Sequence, residues 1–228
     1  MPLAEALTVL RPIAAAVDCA HGQGIIHGDI KPENILFADR MAKVFVTDFG
    51  MSRYFVQRAR VSAAVHLDSH GGGTPDYLSP EELDEGTQSY RSDIYSLAVL
   101  SYELITGRIP FDVDAPPFKQ MKAKVEGKFL PASQANARVS DTVSNALAAG
   151  LRVEPADRPR SATALCDMLE GVTPVPPASP PRRKSGRAVR GAWSELPPTA
   201  KVAIMTAVIA AAGGVVTALI KILPDLLK

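Results

Sequence analysis

At the start of the chain, apolar residues recur with the spacing of one helix face: Leu3, Leu7, Leu10, Ala14 and Val17. This pattern predicts an amphipathic helix that ends at the HGQG stretch, residues 21–24. Pro12 lies inside the pattern and is expected to kink or restart the helix, because proline removes a backbone donor. Cys19 is expected to be buried as a small hydrophobe.

Two short runs of apolar and β-branched residues, 35–37 and 44–47, flank the ADRMAK stretch and predict a small β-hairpin. Residues 94–105 are apolar on nearly every side and precede Gly107, which is typical of a buried helix with a glycine at its end. Further helices are predicted over residues 117–125, 140–151 and 161–169. Residues 51–77 show no steady period and predict a long surface segment.

The amino-acid composition of the chain changes after residue 171. Residues 172–200 are rich in proline and carry five basic residues against one acidic residue. A segment with so little apolar surface to bury is predicted to be a disordered linker. We therefore expect a folded domain over residues 1–171 and a separate C-terminal part.

Residues 201–223 are predicted to form a transmembrane helix. The stretch 202–220 holds nineteen residues without a charge, and a helix of that length spans roughly 29 Å, close to the thickness of a bilayer core. Trp193 and Lys201 lie where interfacial anchors are expected. The alternative is a buried or interfacial helix, because Gly213, Gly214 and many alanines make the run only moderately apolar.

The positive-inside rule predicts the topology of this helix. The basic linker is expected to stay cytoplasmic, which leaves residues 224–228 as a short tail on the far side. The prediction is thus a single-pass protein of the cell (inner) membrane, with its folded domain in the cytoplasm and its C-terminal helix in contact with membrane lipid. The N-terminus does not have the pattern of a secretory signal.

Composition narrows the classes of function. The formal net charge is only +1, which argues against bulk nucleic-acid binding, and we expect no nucleic-acid partner. The basic run at residues 182–190 is more simply a topology signal that contacts anionic lipid. The two cysteines show no CxxC spacing, so neither a disulfide framework nor a zinc site is suggested.

The stretch HGDIKPEN, residues 27–34, and DFG, residues 48–50, bring together the groups that phosphoryl transfer needs. Asp29 would accept the proton of an attacking hydroxyl, and Lys31 would neutralise charge on the moving phosphoryl group. Asn34 and Asp48 would hold Mg²⁺ through hard oxygen ligands. Isolated Asp and Asn residues in loops more often form turns. The catalytic and metal-binding interpretation of Asp29, Asn34 and Asp48 therefore depends on the ordered set of motifs in which they lie.

Five elements in order resemble the large (C-terminal) lobe of a bacterial serine/threonine (Hanks-type) protein kinase, over roughly residues 1–170. HGDIKPENIL resembles the catalytic loop, DFG the metal-binding tripeptide and GTPDYLSPEEL the end of the activation segment. SDIYSLAVLSYELITGRIPF resembles the central buried helix, and DRP a late arginine element. The resemblance implies a mainly α fold with a small β-hairpin, here followed by the disordered linker and the single transmembrane helix.

The resemblance also implies roles for individual residues. Asp29 is implied to be the catalytic base, and Lys31 to contact the γ-phosphate of ATP, which is characteristic of serine/threonine specificity. Asn34 and Asp48 are implied to be the ligands of Mg²⁺. ATP and Mg²⁺ are therefore the expected cofactors, and protein substrates with serine or threonine acceptors are the expected partners.

Other positions are implied to shape the site rather than to react. Thr74 resembles the residue that bonds to the pair formed by Asp29 and Lys31. Glu81 and Arg158 resemble the buried ion pair that ties the activation segment to the helices of the lobe. Asp93 resembles the anchor of the catalytic-loop backbone. His27 is expected to be a packed core histidine.

Two departures from the family pattern matter. Gly28 stands where the family usually has an arginine that pairs with a phosphorylated activation loop, so we expect activity that does not depend on such pairing. No Gly-rich loop or VAIK-like lysine precedes the first helix, so the sequence is expected to represent the large lobe without the small lobe.

The sequence therefore predicts a membrane-tethered serine/threonine protein kinase, truncated here to its C-lobe, that transfers the γ-phosphate of ATP to proteins. Catalysis in this class is mostly positioning and electrostatics, so the missing lobe is expected to lower the activity of this chain on its own. The alternative is a catalytically inactive, kinase-like scaffold that binds protein partners at the membrane.

Overall fold

The computed structural model describes residues 1–38, 43–49, 75–112 and 114–178. The predictions for Thr74, for linker residues 179–200, for the 201–223 helix and for the 224–228 tail lie outside these residues, as does most of the 51–77 segment. Within the ranges that the structure describes, no helix is long and apolar enough to cross a bilayer.

The described residues form seven α-helices and one two-stranded sheet, in the following order: α1 (Leu3–Gly22), β1 (Ile35–Ala38), β2 (Lys43–Val46), α2 (Pro80–Glu85), α3 (Tyr90–Thr106), α4 (Pro117–Val125), α5 (Ala132–Ala135), α6 (Asp141–Gly150) and α7 (Ala162–Leu169). Short 3-10 helices are formed by Pro32–Asn34, Pro75–Tyr77 and Pro155–Asp157. The predicted mainly α fold with a small β-hairpin is confirmed.

Helix α3 forms the centre of the core. Ser89 caps its N-terminus by accepting hydrogen bonds from the backbone N–H groups of Arg91 and Ser92. Most of its side chains are buried, because α1, α6 and α7 all pack against it. The helix ends at Gly107, whose φ of 83° lies in the left-handed region that favours glycine. The predicted glycine stop is confirmed.

Helix α1 follows its predicted apolar face and differs from the prediction at Cys19. Of the two effects expected of Pro12, a kink or a restart, the restart does not occur, since the helix continues through this exposed residue. Cys19 is exposed, so its predicted burial is wrong. Val17 and Ala20 face the core, and the helical turn of about 100° per residue carries Cys19 to the opposite, solvent-exposed side.

The β-hairpin leaves one apolar face open. Its strands are antiparallel, with Ile35 opposite Val46 and Leu36 opposite Phe45. Ile35 is buried, whereas Leu36 and Phe45 are 52% and 50% exposed. The hairpin thus packs through β2 on α1 and presents a leucine and a phenylalanine side by side on its other face.

The first residues after α7 stay in contact with the helical domain. Residues 172–178 contain neither helix nor strand, but the guanidinium of Arg152 donates to the carbonyl oxygen of Pro176 at 2.6 Å. Val175 packs against the edge of the core. The described beginning of the predicted linker is therefore held on the domain surface.

Helices α3 and α6 are in close contact at Gly150. A Cβ at this position would lie 2.5 Å from the Cβ of buried Ala98. We expect Gly150→Ala to lower the free energy of unfolding by about 1–3 kcal/mol, since overpacking outweighs the helix-propensity gain of alanine. Urea denaturation measures this loss. Gly22→Ala is the matched control, because nothing lies within 4 Å of its Cβ; equal stabilities of the two variants would contradict the expectation.

Candidate active site

The backbone of the 27–29 loop is held by one buried carboxylate at the start of α3. Asp93 is 1% exposed and accepts hydrogen bonds from the backbone N–H groups of His27, at 2.9 Å, and Gly28, at 2.7 Å. His21, at the end of α1, lies 2.7 Å from the same carboxylate through its Nε2 atom. The Asp93 position thus joins α1, the loop and α3 at one point, as expected for a loop anchor.

Gly28 has a structural reason to be glycine. Its φ of 76° lies in the left-handed region, where side chains are disfavoured, and its N–H must face Asp93. Its carbonyl oxygen accepts a hydrogen bond from the side chain of Gln88 at 3.3 Å. Glycine therefore lets the chain turn without strain between its hydrogen bonds to Asp93 and Gln88.

The structure brings Asp29, Lys31 and Asn34 together. The Nζ atom of Lys31 lies 2.8 Å from Oδ2 of Asp29. The amide of Asn34 donates to the same oxygen at 3.0 Å and to the backbone carbonyl of Asp29 at 2.7 Å. A carboxylate oriented by an amide and paired with an ammonium can accept a proton at a fixed position.

Asp48 follows the hairpin at the same end as Asn34. Thr47 donates through its N–H and its hydroxyl to the carbonyl oxygen of Asn34, at 3.0 and 3.3 Å, which closes the hairpin beside the loop. Asp48 itself has a φ of 62°, unusual for a residue other than glycine. Strain of this kind is concentrated at functional sites.

Asn34 and Asp48 fit a magnesium ion by the chemistry of their donors. The Nδ2 atom of Asn34 is engaged by Asp29, so its amide oxygen is directed away and can act as a ligand. Mg²⁺ is usually held by one or two protein oxygens together with waters and phosphate oxygens. The described residues contain no group of three or more His, Cys, Asp or Glu side chains that could hold a metal.

His27 lies under the loop as a packed, uncharged side chain. It is fully buried, and its Nδ1 accepts a hydrogen bond from the N–H of Asp29 at 3.2 Å. Its ring lies 4.5 Å from that of Phe49, centroid to centroid. Burial lowers the pKa of His27, which favours the neutral imidazole. The predicted packing role of His27 is confirmed, and the contact joins the DFG stretch to the loop.

A bidentate ion pair ties α2 to the segment before α7. The guanidinium of Arg158 donates to both oxygens of Glu81, at 2.7 and 2.6 Å, and stacks over the ring of Tyr95 at 5.0 Å. It also donates to the backbone carbonyls of Arg91, Arg152 and Val153. Burial alone would raise the pKa of Glu81, but the hydrogen bonds and charge of Arg158 outweigh it and lower the pKa.

Sequence reasoning missed Gln88, which connects the loop to α2. Its amide donates to the carbonyl of Gly28 and, at 3.2 Å, to Oε1 of Glu82. The other oxygen of Glu82 accepts from the N–H and hydroxyl of Ser79. A glutamine before a helix cap has no distinctive sequence signal, because many surface turns contain one.

Comparison with known protein families decides the identity of this fold. The family described as protein kinase domain matches residues 1–169. The chain belongs to the protein kinase family.

Its similar relatives are bacterial serine/threonine kinases. The chain is 31% identical over 176 residues to a probable serine/threonine-protein kinase (CPE1738) of Clostridium perfringens, covering 77% of this chain and 25% of that protein. It is 35% identical over 182 residues to PksC of Streptomyces coelicolor, with 79% and 32% covered. It is 35% identical over 154 residues to PrkC of Bacillus subtilis, with 68% and 23% covered. The chain therefore spans between 23% and 32% of the length of these relatives.

Solved structures show the same fold. The crystal structure of the Rad53 kinase domain and SCD2 aligns with a TM-score of 0.55 and 24% identity, over 72% of this chain and 56% of that one. The same protein in complex with AMPPNP aligns with a TM-score of 0.54 and 24% identity, over 72% and 57%. The fold is therefore kinase-like, as the sequence predicted, and the resemblance to serine/threonine protein kinases holds.

Proposed function

We propose that residues 1–171 are the large lobe of a membrane-tethered serine/threonine protein kinase, which transfers the γ-phosphate of ATP to serine or threonine hydroxyls of proteins. The observation that carries this proposal is the Asp29 carboxylate, bonded at one oxygen by both Lys31 and Asn34. Family membership supports the reaction class. The AMPPNP complex of the Rad53 structure supports ATP as the donor.

The chain's own residues supply three tasks in this mechanism. Asp29 accepts the proton of the acceptor hydroxyl, and its orientation is fixed by Asn34. Lys31 holds positive charge next to that carboxylate and stabilises negative charge on the transferred group. Asn34 and Asp48 would hold Mg²⁺, which would supply positive charge to neutralise the phosphates of ATP.

The open face of the hairpin supports a nucleotide site beside these residues. Leu36 follows Asn34 by two positions, and Phe45 precedes Asp48 by three, so their exposed side chains lie near the proposed metal ligands. Ligand sites combine such apolar surface with a few polar groups that fix orientation. We propose that this face contributes apolar contacts to the base of ATP.

The reaction is tested with the native protein isolated from its own cells. Label from γ-phosphate-labelled ATP is expected to appear on a generic protein substrate only with Mg²⁺, and acid hydrolysis of that substrate should release phosphoserine and phosphothreonine. Label on tyrosine alone would contradict the proposed specificity. Absence of transfer from a folded protein would favour the non-catalytic scaffold that binds partners at the membrane.

The membrane tether is a separate proposal, supported by the charge-free stretch at 202–220 and the basic residues before it. The protein is expected to stay in the membrane pellet of its own cells after carbonate extraction, with its kinase lobe on the cytoplasmic side. Deletion of residues 202–220 should move it to the supernatant. Release of the intact protein by carbonate would overturn the transmembrane assignment.

A further inference from the structure

Side chains hold the backbone carbonyls of residues 76–78, a stretch called here the carbonyl segment. The Nζ atom of Lys124, on α4, donates to the carbonyl oxygen of Asp76 and, at 3.0 Å, to that of Leu78. The carbonyl oxygen between them, of Tyr77, accepts from the hydroxyl of Ser96 on α3 at 2.8 Å. Side chains from two helices, α3 and α4, thus donate hydrogen bonds to three consecutive backbone carbonyls.

Lys124 is an unusual residue for this place. It is 2% exposed, whereas lysines are almost never fully buried unless they are paired. Its Nζ lies 4.9 Å from the ring centroid of Phe111 and 5.8 Å from that of Tyr95. An apolar side chain would fill the same space without the cost of removing an ammonium from water. The lysine is explained by what its ammonium bonds.

Titration and charge agree with this geometry. Burial lowers the pKa of Lys124 to about 7, although the nearby carboxylates Asp76 and Glu82 act in the opposite direction. A group that is so costly to keep charged adds little to stability by itself. Its two carbonyl partners and two aromatic faces, together with these carboxylates, help to offset the cost.

The carbonyl segment is connected to the catalytic loop at its other end. Ser79 follows the segment and bonds to Glu82, which Gln88 joins to the carbonyl of Gly28. The hydroxyl of Tyr77 also donates to Glu103 at 2.5 Å. The shape of the segment is therefore set relative to Asp29, one residue beyond Gly28.

We infer that Lys124 is a positioning residue, whose ammonium fixes the carbonyl segment in the shape that presents an acceptor polypeptide to Asp29. The acceptor part of this inference rests on the proposed kinase function. The effect of Lys124 on the backbone of the carbonyl segment does not depend on that function.

Hydrogen exchange of this chain tests the effect on the backbone. In Lys124→Met, amides in fragments that cover residues 76–79 should exchange about tenfold faster, because two buried carbonyls lose their donor. Amides in the middle of α3 and α7 should be unchanged. Lys122→Met is the matched control, because Lys122 lies on the same helix, is 64% exposed and pairs only with Glu126 among the ion pairs of the described residues.

A conservative variant separates positioning from packing. Lys124→Arg keeps a cation that can donate to both carbonyls, so it should restore most of the protection that Lys124→Met removes. If the methionine variant does not fold, Lys124→Gln takes its place, with the same expected direction. Equal exchange in the Lys124 and Lys122 variants would overturn the inference, and so would faster exchange throughout the domain.

Phosphorylation kinetics then test the acceptor part. Lys124→Met should raise the KM for a protein acceptor about tenfold while the KM for ATP stays unchanged. A rise in both constants, or in neither, would overturn the acceptor role. If the native protein transfers no phosphate at all, the proposed function fails, and the exchange result still decides whether Lys124 positions the segment.

Discussion

Asp48→Asn is expected to lower the rate of Mg²⁺-dependent phosphate transfer by the native protein about 10²- to 10³-fold. Asparagine keeps the shape of the side chain but removes the negative charge that a magnesium ligand supplies, and removal of one electrostatic group from an active site costs about this much. The backbone should tolerate the change, because asparagine is among the residues that accept the φ of 62° observed here.

The measurement is label transfer at saturating acceptor over a range of Mg²⁺ concentrations. Partial recovery at high Mg²⁺ would show weakened metal binding, as expected for a lost ligand. Asp84→Asn is the matched control, because Asp84 is exposed on α2 and should leave the rate unchanged. Wild-type rates in Asp48→Asn would show that this residue does not hold the metal.

Arg158→Met is expected to lower the free energy of unfolding by about 3–5 kcal/mol, a large part of the about 5–15 kcal/mol of a typical domain. The side chain of Arg158 is fully buried, and its removal takes the paired cation away from the Glu81 carboxylate and the donor away from several backbone carbonyls. Denaturation in urea measures the loss.

The control for this prediction is Arg11→Met. Arg11 also pairs with two carboxylates, Asp167 and Glu170, but its side chain is 37% exposed. An exposed ion pair contributes at most about 1 kcal/mol. Similar losses for the two variants would contradict the view that burial gives the Glu81 pair its importance.

The same ion pair gives a pH dependence with a definite sign. The pKa of Glu81 is lower in the folded protein than its ordinary value of 4.5. Its contribution to stability is therefore complete above that pH and is lost as the pH falls below it. The stability of Arg158→Met, which has already lost the pair, should fall less steeply below about pH 4.5 than that of the wild type.

The sequence predicted the elements whose signals are local. The apolar face of α1, the continuous apolar run of α3 with Gly107 and the two short apolar and β-branched runs of the hairpin each indicate an element without reference to the rest of the chain. Asp29, Lys31 and Asn34 lie close together in the sequence, within residues 29–34, so their proximity was also predictable. Their catalytic and metal-binding roles stay predictions.

What the sequence could not give depends on the direction of single side chains in the folded chain. Cys19 and the ring of Pro12 face solvent because of the exact rotation of α1 on the core. Lys124 reaches the carbonyl segment across 46 and 48 positions of sequence. A lysine in an amphipathic helix would be expected to lie in water, and only the packing of α4 shows that it does not.

The anchor at Asp93 also has a consequence for the order of events during synthesis. The loop that carries Asp29 leaves the ribosome first, but the carboxylate that holds its backbone follows 65 and 66 residues later. Arg158 follows its own partner, Glu81, by 77 positions. A nascent chain in which only the loop has emerged therefore lacks both restraints, and the arrangement of Asp29, Lys31 and Asn34 gains them only when nearly the whole helical domain has been made.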